Sequence, residues 1–281
     1  MIRNLAHPSG LLGKHIRQQI RFHPLPNFTT PYDSVKTVKI LAWDIELTPM
    51  TVYSWSLWPN FIPIQQIEEP QHVMCFGARW YGEKKIHFKS THHHGKQEML
   101  ESIHALLDEA DMVLSWNGAS FDTKHINREF IEAGMLPPSP YIEVDLMRVT
   151  KKKFKFASNK LDWVSQVLGV GKKVPHEGFQ LWLDCMAGDG KAWKKMKEYQ
   201  LQDVNLLIDL YEKLRPWIDN HPNMGVFKQD GLEACVACGS ERIRISGTRI
   251  TAAGKYRRYQ CKDCGKWMRG KTIIKTVELR N

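Results

Sequence analysis

The sequence predicts an α/β fold, a mixed sheet with helices on its faces, followed by a small β-rich domain. Strand-like stretches come first and then alternate with stretches of helical periodicity, which is the order of a sheet covered by helices. Near the C-terminus, two C-x-x-C pairs enclose short alternating segments, a pattern typical of a small metal-stabilised β domain. A chain of 281 residues has room for one large domain and one small domain.

The elements of the large domain follow from apolar periodicity. Strands are predicted where β-branched and aromatic residues cluster or alternate, over residues 37–46, 51–57, 73–81, 85–89 and 112–116. Helices are predicted over residues 97–110, 121–133, 160–168, 179–186 and 191–214. Three histidines, His92 to His94, are expected in an exposed turn before Gly95. Pro216 and Pro222 are expected to end the helical region.

The net charge of +10 is concentrated at the two ends of the chain. Residues 1–36 carry +4 and residues 231–281 carry +8, which leaves −2 for the segment between them. Two basic ends around a near-neutral body suggest that the ends bind a polyanion, while a solubilising charge excess is the alternative. The predicted organisation is given by four segments: a basic arm (1–36), a catalytic domain (37–215), a linker with few core contacts (216–233) and a zinc ribbon (234–281).

Cysteine usage and hydropathy indicate the compartment. Cys75 and Cys185 stand alone in apolar surroundings and are expected to be reduced core residues, whereas the other four cysteines are clustered. No apolar run approaches the roughly 20 residues that a membrane helix needs. The N-terminus lacks the apolar segment of a signal peptide. We therefore expect a cytoplasmic protein without a membrane partner.

Four carboxylates and one tyrosine occur in three stretches with related chemistry. Asp44 and Glu46 lie two positions apart at a strand end, so their side chains point to the same side. Asp122 is expected in the first turn of a helix, and Tyr199 and Asp203 share a helix face at spacing i, i+4. Taken alone, each stretch also fits an ordinary strand end, helix start or surface pair. Together, the four acids can hold two Mg²⁺ or Mn²⁺ ions for phosphodiester hydrolysis, and the tyrosine can orient a water.

These motifs resemble those of a known family. D-x-E, N-G-x-x-F-D and Y-x-x-x-D, in this order, resemble motifs I, II and III of the DnaQ-like DEDD 3′–5′ exonucleases, which have a ribonuclease-H-like fold. The tyrosine in the third motif is similar to the DEDDy branch, which includes YprB-type ribonuclease-H-like domains and the exonuclease domains of family B DNA polymerases. Residues 159–169 also resemble the K-L-x-x-V-x-x-x-L-G helix of that branch. The resemblance covers about residues 37–215.

The resemblance implies roles for the residues of these motifs. Asp44, Glu46, Asp122 and Asp203 would be metal ligands or their water-mediated partners, and Tyr199 would position the attacking water. The implied activity is 3′–5′ hydrolysis of nucleic acid from single-stranded ends, with DNA favoured over RNA. A structure-selective nuclease and a non-catalytic nucleic-acid-binding adaptor are the alternatives. The chain shows no polymerase domain, so proofreading would take place in trans with a replication or repair protein. The combination resembles stand-alone exonucleases of bacteriophage and bacterial type.

The clustered cysteines predict a structural Zn²⁺ site. Cys235, Cys238, Cys261 and Cys264 form two C-x-x-C pairs separated by 22 residues, and each pair runs into a glycine that permits a tight turn. Residues 242–245 and 256–259 alternate as strands do, so this segment is interpreted as a zinc ribbon. It is rich in arginine and aromatic residues, which suits nucleic acid, while docking onto a protein is the alternative.

Nucleic-acid contacts are predicted in both domains. In the large domain the candidates are Asn117, Phe121 and Lys160, with Trp43, Trp116, residues 151–155 and Lys172–Lys173 as further candidates. A core position is the favoured alternative for each of Trp43, Trp116 and Phe121, and a solvated charged face is the alternative for residues 151–155 and Lys172–Lys173. In the ribbon the candidates are Arg242, Arg244, Arg257, Arg258 and Trp267, with stacking also expected from Tyr256 and Tyr259.

Overall fold

A five-stranded mixed sheet forms the centre of the large domain. The computed structural model describes residues 38–228 and 233–276, so the predicted arm of residues 1–36 lies outside the described residues. The sheet order is β5-β4-β1-β6-β7, with β4 antiparallel to both β1 and β5, and β6 and β7 parallel to β1. The strands are β1 (Ile40–Leu47), β4 (Val73–Trp80), β5 (Ile86–Ser90), β6 (Met112–Ser115) and β7 (Ile142–Asp145). The predicted mixed α/β fold is confirmed.

Seven α-helices in the described part of the chain cover the sheet and its edges. They are α1 (Thr91–His94), α2 (Lys96–Glu109), α3 (Asp122–Glu132), α4 (Leu146–Lys153), α5 (Leu161–Val167), α6 (Phe179–Met186) and α7 (Gly190–Leu214). Helices α2 and α3 pack on one face of the sheet, and α7 packs on the other. None of the described helices combines the length and hydropathy that a membrane span requires.

Alternation along β1 distributes its side chains between these two layers. Leu41, Trp43 and Ile45 belong to the core under α2 and α3. Ile40 and Ala42 belong to the core under α7. Because side chains alternate with period two, the next two positions on the α7 face are Asp44 and Glu46. The pattern that builds the core therefore also aims both acids at α7.

The segment between β1 and β4 differs from the prediction. The strand predicted over residues 51–57 stops after two residues, as β2 (Thr51–Val52), and β3 (Ile67–Glu69) returns after a 3₁₀ turn. Tyr53 and Trp55, the aromatic residues that suggested a strand, are 64% and 98% exposed, so neither ring is packed in the core. The segment has the amino-acid composition of a strand, but its aromatic side chains do not pack in the core, and such packing is what stabilises a strand.

Three further elements of the large domain were missed or misassigned. Strand β7 and helix α4 were not predicted, because the run over residues 142–155 combines a few apolar positions with a basic tract. The three histidines form helix α1 rather than a turn, although His92 and His93 are exposed as expected. The imidazole of His92 stacks on Trp193 with ring centroids 5.2 Å apart. Cys75 and Cys185 are buried and unpaired, as predicted.

The C-terminal residues form a three-stranded antiparallel sheet of order β10-β9-β8. Its strands are β8 (Ile243–Thr251), β9 (Gly254–Cys261) and β10 (Trp267–Lys275), of which β10 was not predicted. The expectation of a linker with few contacts is wrong for its described part. Ile218 is fully buried, and its carbonyl accepts a hydrogen bond from Lys266 at 2.6 Å. The N–H of Met224 donates to the carbonyl of Val236 at 2.9 Å.

Candidate active site and metal centres

Three carboxylates converge beside the end of β1. One oxygen atom from each of Asp44, Glu46 and Asp203 lies within 4.8 Å of the others. Strand β1 supplies the first two through its alternation, and α7 supplies Asp203 from the layer packed against that face. The predicted association of these two sequence motifs is therefore present in the fold.

Asp122 lies next to this cluster and is tied to the same strand. It is the first residue of α3, as predicted, and it is buried. Its Oδ1 accepts a hydrogen bond from the backbone N–H of Ile45 at 3.2 Å. Asp122 is close enough to raise the pKa of Asp44, but it is not one of the three carboxylates grouped within 4.8 Å. Asp122 thus approaches the cluster from α3, which lies on the face of the sheet opposite α7.

An ammonium group occupies part of the site. Lys173, in the loop between α5 and α6, donates to the Tyr199 hydroxyl and to Oδ2 of Asp203, both at 2.6 Å. The same ammonium lies 4.7 Å from the centroid of the Tyr199 ring. The sequence suggested that Lys172 and Lys173 touch phosphate, and the structure places the Lys173 ammonium among the acids. A lysine in a loop carries no periodicity that could have indicated this position.

Burial dominates the electrostatics of the four acids. It raises the pKa of Glu46 to about 8 and that of Asp122 to about 7. Burial, and then repulsion from Asp122 and Asp203, raises the pKa of Asp44 well above its usual range. For Asp203, burial raises the pKa while the neighbouring Lys173 opposes the rise. Lys173 alone therefore does not offset the burial of four carboxylates, and a divalent cation would stabilise their ionised forms.

The donor set fits a hard divalent cation. Oδ1 of Asp203 is buried and has no hydrogen-bond partner among the described residues. Clustered carboxylate oxygens are the ligands that Mg²⁺ and Mn²⁺ prefer. The acidic cluster of Asp44, Glu46 and Asp203 is therefore compatible with divalent metals.

Close approach of α7 to the sheet depends on a glycine that the sequence analysis did not identify. Gly77 on β4 is paired with Asp44 on β1. A Cβ atom at Gly77 would lie 2.8 Å from Oε1 of Gln200 and 3.2 Å from Cγ2 of Val204. Nε2 of Gln200 donates to Oδ2 of Asp44 at 3.2 Å. Gly77 thus leaves the space in which Gln200 reaches across from α7 to the face of β1 that carries Asp44 and Glu46.

The turn that carries the second motif is held by a buried acid. Asn117 has a left-handed backbone with φ of 70°, which residues other than glycine rarely adopt. Its N–H donates to Oδ1 of Asp145 at 3.0 Å, and the same oxygen caps α4 through the N–H groups of Met147 and Arg148. Asp145 was missed because β7 was missed.

A cleft of about 610 Å³ has Lys173 in its wall, and the Lys173 ammonium in turn contacts Asp203. The four acids and Tyr199 are not among the residues that line this cleft. Trp116, Asn117 and Lys160, three of the predicted nucleic-acid contacts, also line it. Trp43 is a core residue and not a nucleic-acid contact, because its indole is fully buried under α2 and α3. Phe121 is partly exposed beside His125.

The four clustered cysteines form the second candidate metal centre. Sγ atoms of Cys235 and Cys264 lie 3.5 Å apart, and those of Cys238 and Cys261 lie 3.7 Å apart. Tetrahedral zinc with Zn–S bonds of 2.3 Å separates its sulfurs by roughly 3.8 Å. Backbone N–H groups of Ala237 and Asp263 point at Cys235 and Cys261, each at 3.4 Å, as donors that favour thiolates. The cluster is compatible with zinc.

Comparison with known proteins identifies the family. A model described as the RNase H superfamily matches residues 66–215, more than half of the chain. The protein therefore belongs to the RNase H superfamily, and the larger sheet has the ribonuclease-H-like fold. The match includes Asp122, Tyr199 and Asp203, whereas Asp44 and Glu46 precede it.

Two polymerases show local similarity. The chain is 28% identical over 111 residues to the "Putative DNA polymerase 060R" of Frog virus 3 (isolate Goorha), covering 38% of this chain and 10% of the viral protein. It superposes with a TM-score of 0.50 and 16% identity on the family B DNA polymerase from the hyperthermophilic archaeon Pyrobaculum calidifontis, covering 64% of this chain and 25% of the polymerase. The chain thus spans a tenth of the first protein and a quarter of the second, and the structural likeness supports the fold.

Proposed function

We propose that this protein is a metal-dependent 3′–5′ exonuclease that hydrolyses phosphodiester bonds at single-stranded ends of nucleic acid. The proposal is supported chiefly by the convergence of Asp44, Glu46 and Asp203 within 4.8 Å. Lys173, which contacts Asp203, connects this cluster to a cleft. The 3′–5′ polarity follows from the resemblance of the three motifs to the DEDDy exonucleases. DNA is the favoured substrate, because both similar proteins carry the name DNA polymerase.

Each residue of the site has a role that its position supports. Asp44, Glu46 and Asp203 would hold two Mg²⁺ or Mn²⁺ ions, with Asp122 contributing directly or through water. When bound, such ions activate a water and neutralise charge that develops on the leaving oxygen. The Tyr199 hydroxyl accepts a hydrogen bond from Lys173, so its O–H can donate a hydrogen bond that orients the attacking water. Lys173 would act as a positioning residue through this bond.

The cleft would receive the terminal nucleotides. Lys160 provides a cation for a backbone phosphate, and Asn117 provides amide hydrogen-bonding groups beside it. Trp116 donates its indole N–H to the carbonyl of Asn159 at 3.1 Å, which fixes its ring in the wall. The four cysteines would hold one structural Zn²⁺ ion, which the small ribbon needs because it has little core of its own.

The direct test is an Asp203→Asn variant assayed on end-labelled single- and double-stranded DNA and RNA with Mg²⁺, Mn²⁺ or EDTA. The substitution keeps the shape of the side chain but removes a ligand charge, so we expect turnover to fall at least about 10³-fold. Asp209→Asn is the matched control, because Asp209 is exposed further along the same helix.

The substrate panel separates the alternatives. Near-normal turnover by Asp203→Asn would rule out the proposed mechanism. Cleavage confined to branched or hairpin substrates would favour a structure-selective nuclease. Metal-independent binding without any cleavage by the wild-type protein would favour a nucleic-acid-binding adaptor.

A further inference from the structure

The ribbon presents two faces of different chemistry. Side chains alternate between the faces of a sheet, and residues directly opposite each other in antiparallel strands share a face. One face carries Cys261, Tyr259 and Met268, next to the cysteine cluster. The opposite face, here named the arginine face, is formed by Arg244, Arg249, Tyr256, Arg258, Gln260, Trp267 and Arg269.

Register places four arginines on the arginine face. Arg244 is opposite Gln260, which in turn is opposite Trp267. Arg249 is opposite Tyr256, and Arg258 is opposite Arg269. By alternation along β9, Lys255 and Arg257 point to the other face. The arginines thus form one surface across all three strands.

Within the described part of the chain, no acid forms an ion pair with an arginine of this face. Strands β8, β9 and β10 contain no Asp or Glu. The nearby acids at the cysteine end are already engaged, since Asp263 pairs with Arg242 at 2.7 Å and Glu241 pairs with Lys228 at 3.5 Å. Arg242 is therefore a weaker candidate for nucleic-acid binding than the sequence suggested.

Ring stacking and hydrogen bonds orient three of these guanidinium groups. The Arg258 guanidinium lies 4.7 Å from the Trp267 ring centroid, and its Nε donates to the carbonyl of Ser246 at 2.7 Å. Arg269 lies 4.4 Å from the Tyr256 ring centroid. Arg244 donates to Oε1 of Gln260 at 2.6 Å. Fixed forks of this kind suit phosphate, because little side-chain freedom is left to lose on binding.

Only one aromatic ring on this face is open to a base. Trp267 is 47% exposed, whereas Tyr256 is 5% exposed. The prediction that Tyr256 stacks on a base is therefore wrong. An exposed indole on a flat sheet can stack on an unpaired base, which a duplex keeps inside its own stack.

We propose that the arginine face binds the backbone of single-stranded nucleic acid, with Trp267 stacked on one base. The identity of the polyanion rests on the proposed nuclease function. Phosphate binding would use Arg244, Arg249, Arg258 and Arg269. Arg257, although it belongs to the same basic run in the sequence, would contribute little.

Fluorescence anisotropy of the full-length protein with labelled single-stranded DNA, single-stranded RNA and duplex DNA tests this proposal. Arg258→Ala with Arg269→Ala should weaken binding to single strands at least about tenfold. It should also flatten the plot of log affinity against log salt by about 1.4, since each phosphate contact contributes about 0.7. Lys255→Ala with Arg257→Ala is the matched control, which removes the same charge from the opposite face and should change affinity less than about threefold.

Two further variants distinguish a loss of nucleic-acid contacts from unfolding of the ribbon. Arg244→Ala with Arg249→Ala leaves both ring-stacked arginines in place and should weaken binding in the same way, with the zinc content unchanged. Trp267→Leu should weaken binding to single strands but leave the salt dependence unchanged, because it removes stacking and no charge.

Each outcome bears on the proposal. Equal losses for the pairs on the two faces would overturn it, because binding would then follow net charge alone. Unchanged affinity in all the variants would overturn it in favour of docking onto a protein. No divalent metal is added and no cleavage is measured, so the result stands whether or not Asp203→Asn retains nuclease activity.

Discussion

At the scale of single residues, Lys173 places a positive charge beside the acidic cluster when no metal is bound. Burial works against its charged form, but the charges of Asp203, Tyr199 and Asp44 outweigh burial and raise its pKa. The ammonium therefore satisfies one oxygen of Asp203 and the Tyr199 hydroxyl at once. Its position links the residue expected to orient water to the residue expected to hold metal.

A double-mutant cycle tests this link. Tyr199→Phe should lower the single-turnover rate about 10- to 100-fold with nearly unchanged substrate affinity, since the hydroxyl would act on the water and not on the bound strand. Lys173→Met should also slow the reaction. If Lys173 acts through Tyr199, the double variant should lose less than the product of the two single losses.

Two results would contradict this account. An unchanged single-turnover rate in Tyr199→Phe would make the tyrosine a packing residue. Fully multiplicative losses would mean that Lys173 acts independently of it. Lys172→Met provides the control, because Lys172 is the adjacent, exposed lysine of the same loop.

At the scale of elements, the site depends on how closely α7 packs on the sheet. Asp203, Tyr199 and Gln200 all belong to α7, whereas Asp44 and Glu46 belong to β1. Gly77, beside Asp44 on β4, is the position at which a side chain would push the two layers apart. A small displacement of α7 would separate the metal ligands on the two elements without removing any of them.

Gly77→Ala should therefore impair both stability and activity. The added methyl group would lie 2.8 Å from Oε1 of Gln200, the end of a side chain that can turn away. It would also lie 3.2 Å from Cγ2 of Val204 and 3.3 Å from the carbonyl oxygen of Gln200, contacts that a shift of α7 would relieve. We expect a loss of about 1–3 kcal/mol in the free energy of unfolding, as for other overpacked sites. Turnover should fall at least about tenfold, because misplaced ligands are costly to catalysis. Thermal unfolding and nuclease assays measure the two effects.

Gly190→Ala is the control for this experiment. Gly190 begins α7, and an added Cβ there meets nothing within 4 Å. Alanine at that position should leave activity unchanged and stabilise the helix by up to about 1 kcal/mol. Normal activity and stability in Gly77→Ala would show that the layers tolerate the methyl group and would remove Gly77 from the account of the site.

The difference between local periodicity and tertiary contacts explains which residues of the site the sequence could predict. Asp44 with Glu46, and Tyr199 with Asp203, were paired from local periodicity, and the structure aims each pair as expected. Lys173, Gln200 and Gly77 join the site only through tertiary contacts between elements, which local patterns do not encode. Helix α6 was predicted at the observed bounds, Phe179–Met186, because its apolar spacing is local.

At the scale of the whole molecule, the described part of the segment after α7 contacts both the large sheet and the ribbon. Ile218 is buried in the core under α7, together with part of Met224 and Phe227. The same segment reaches the ribbon through the Met224–Val236 and Lys266–Ile218 hydrogen bonds. Burial of residues within 216–228 therefore contributes to the stability of the large domain, although the sequence suggested a linker with few contacts.

This contact pattern predicts where the chain can be divided. A fragment ending at Gln229 keeps Ile218 buried, so we expect it to fold and to retain metal-dependent nuclease activity. A fragment ending at Arg215 exposes that core and should unfold at a lower temperature, because burying an isoleucine contributes about 1.5–3 kcal/mol. Thermal unfolding of the two fragments and the full-length protein measures the difference.

The longer fragment should also separate affinity from chemistry. The ribbon segment, residues 231–281, carries +8, against −2 for residues 37–230. Without it, binding to single strands should weaken, and log affinity should fall less steeply with log salt. Cys261→Ser in the full chain should reproduce this effect, because losing one thiolate of four should unfold the ribbon. Metal analysis should find about one zinc per full-length chain and none in the fragment. If the fragment keeps both the affinity and the salt dependence of the full-length protein, the positive charge of the ribbon serves another partner.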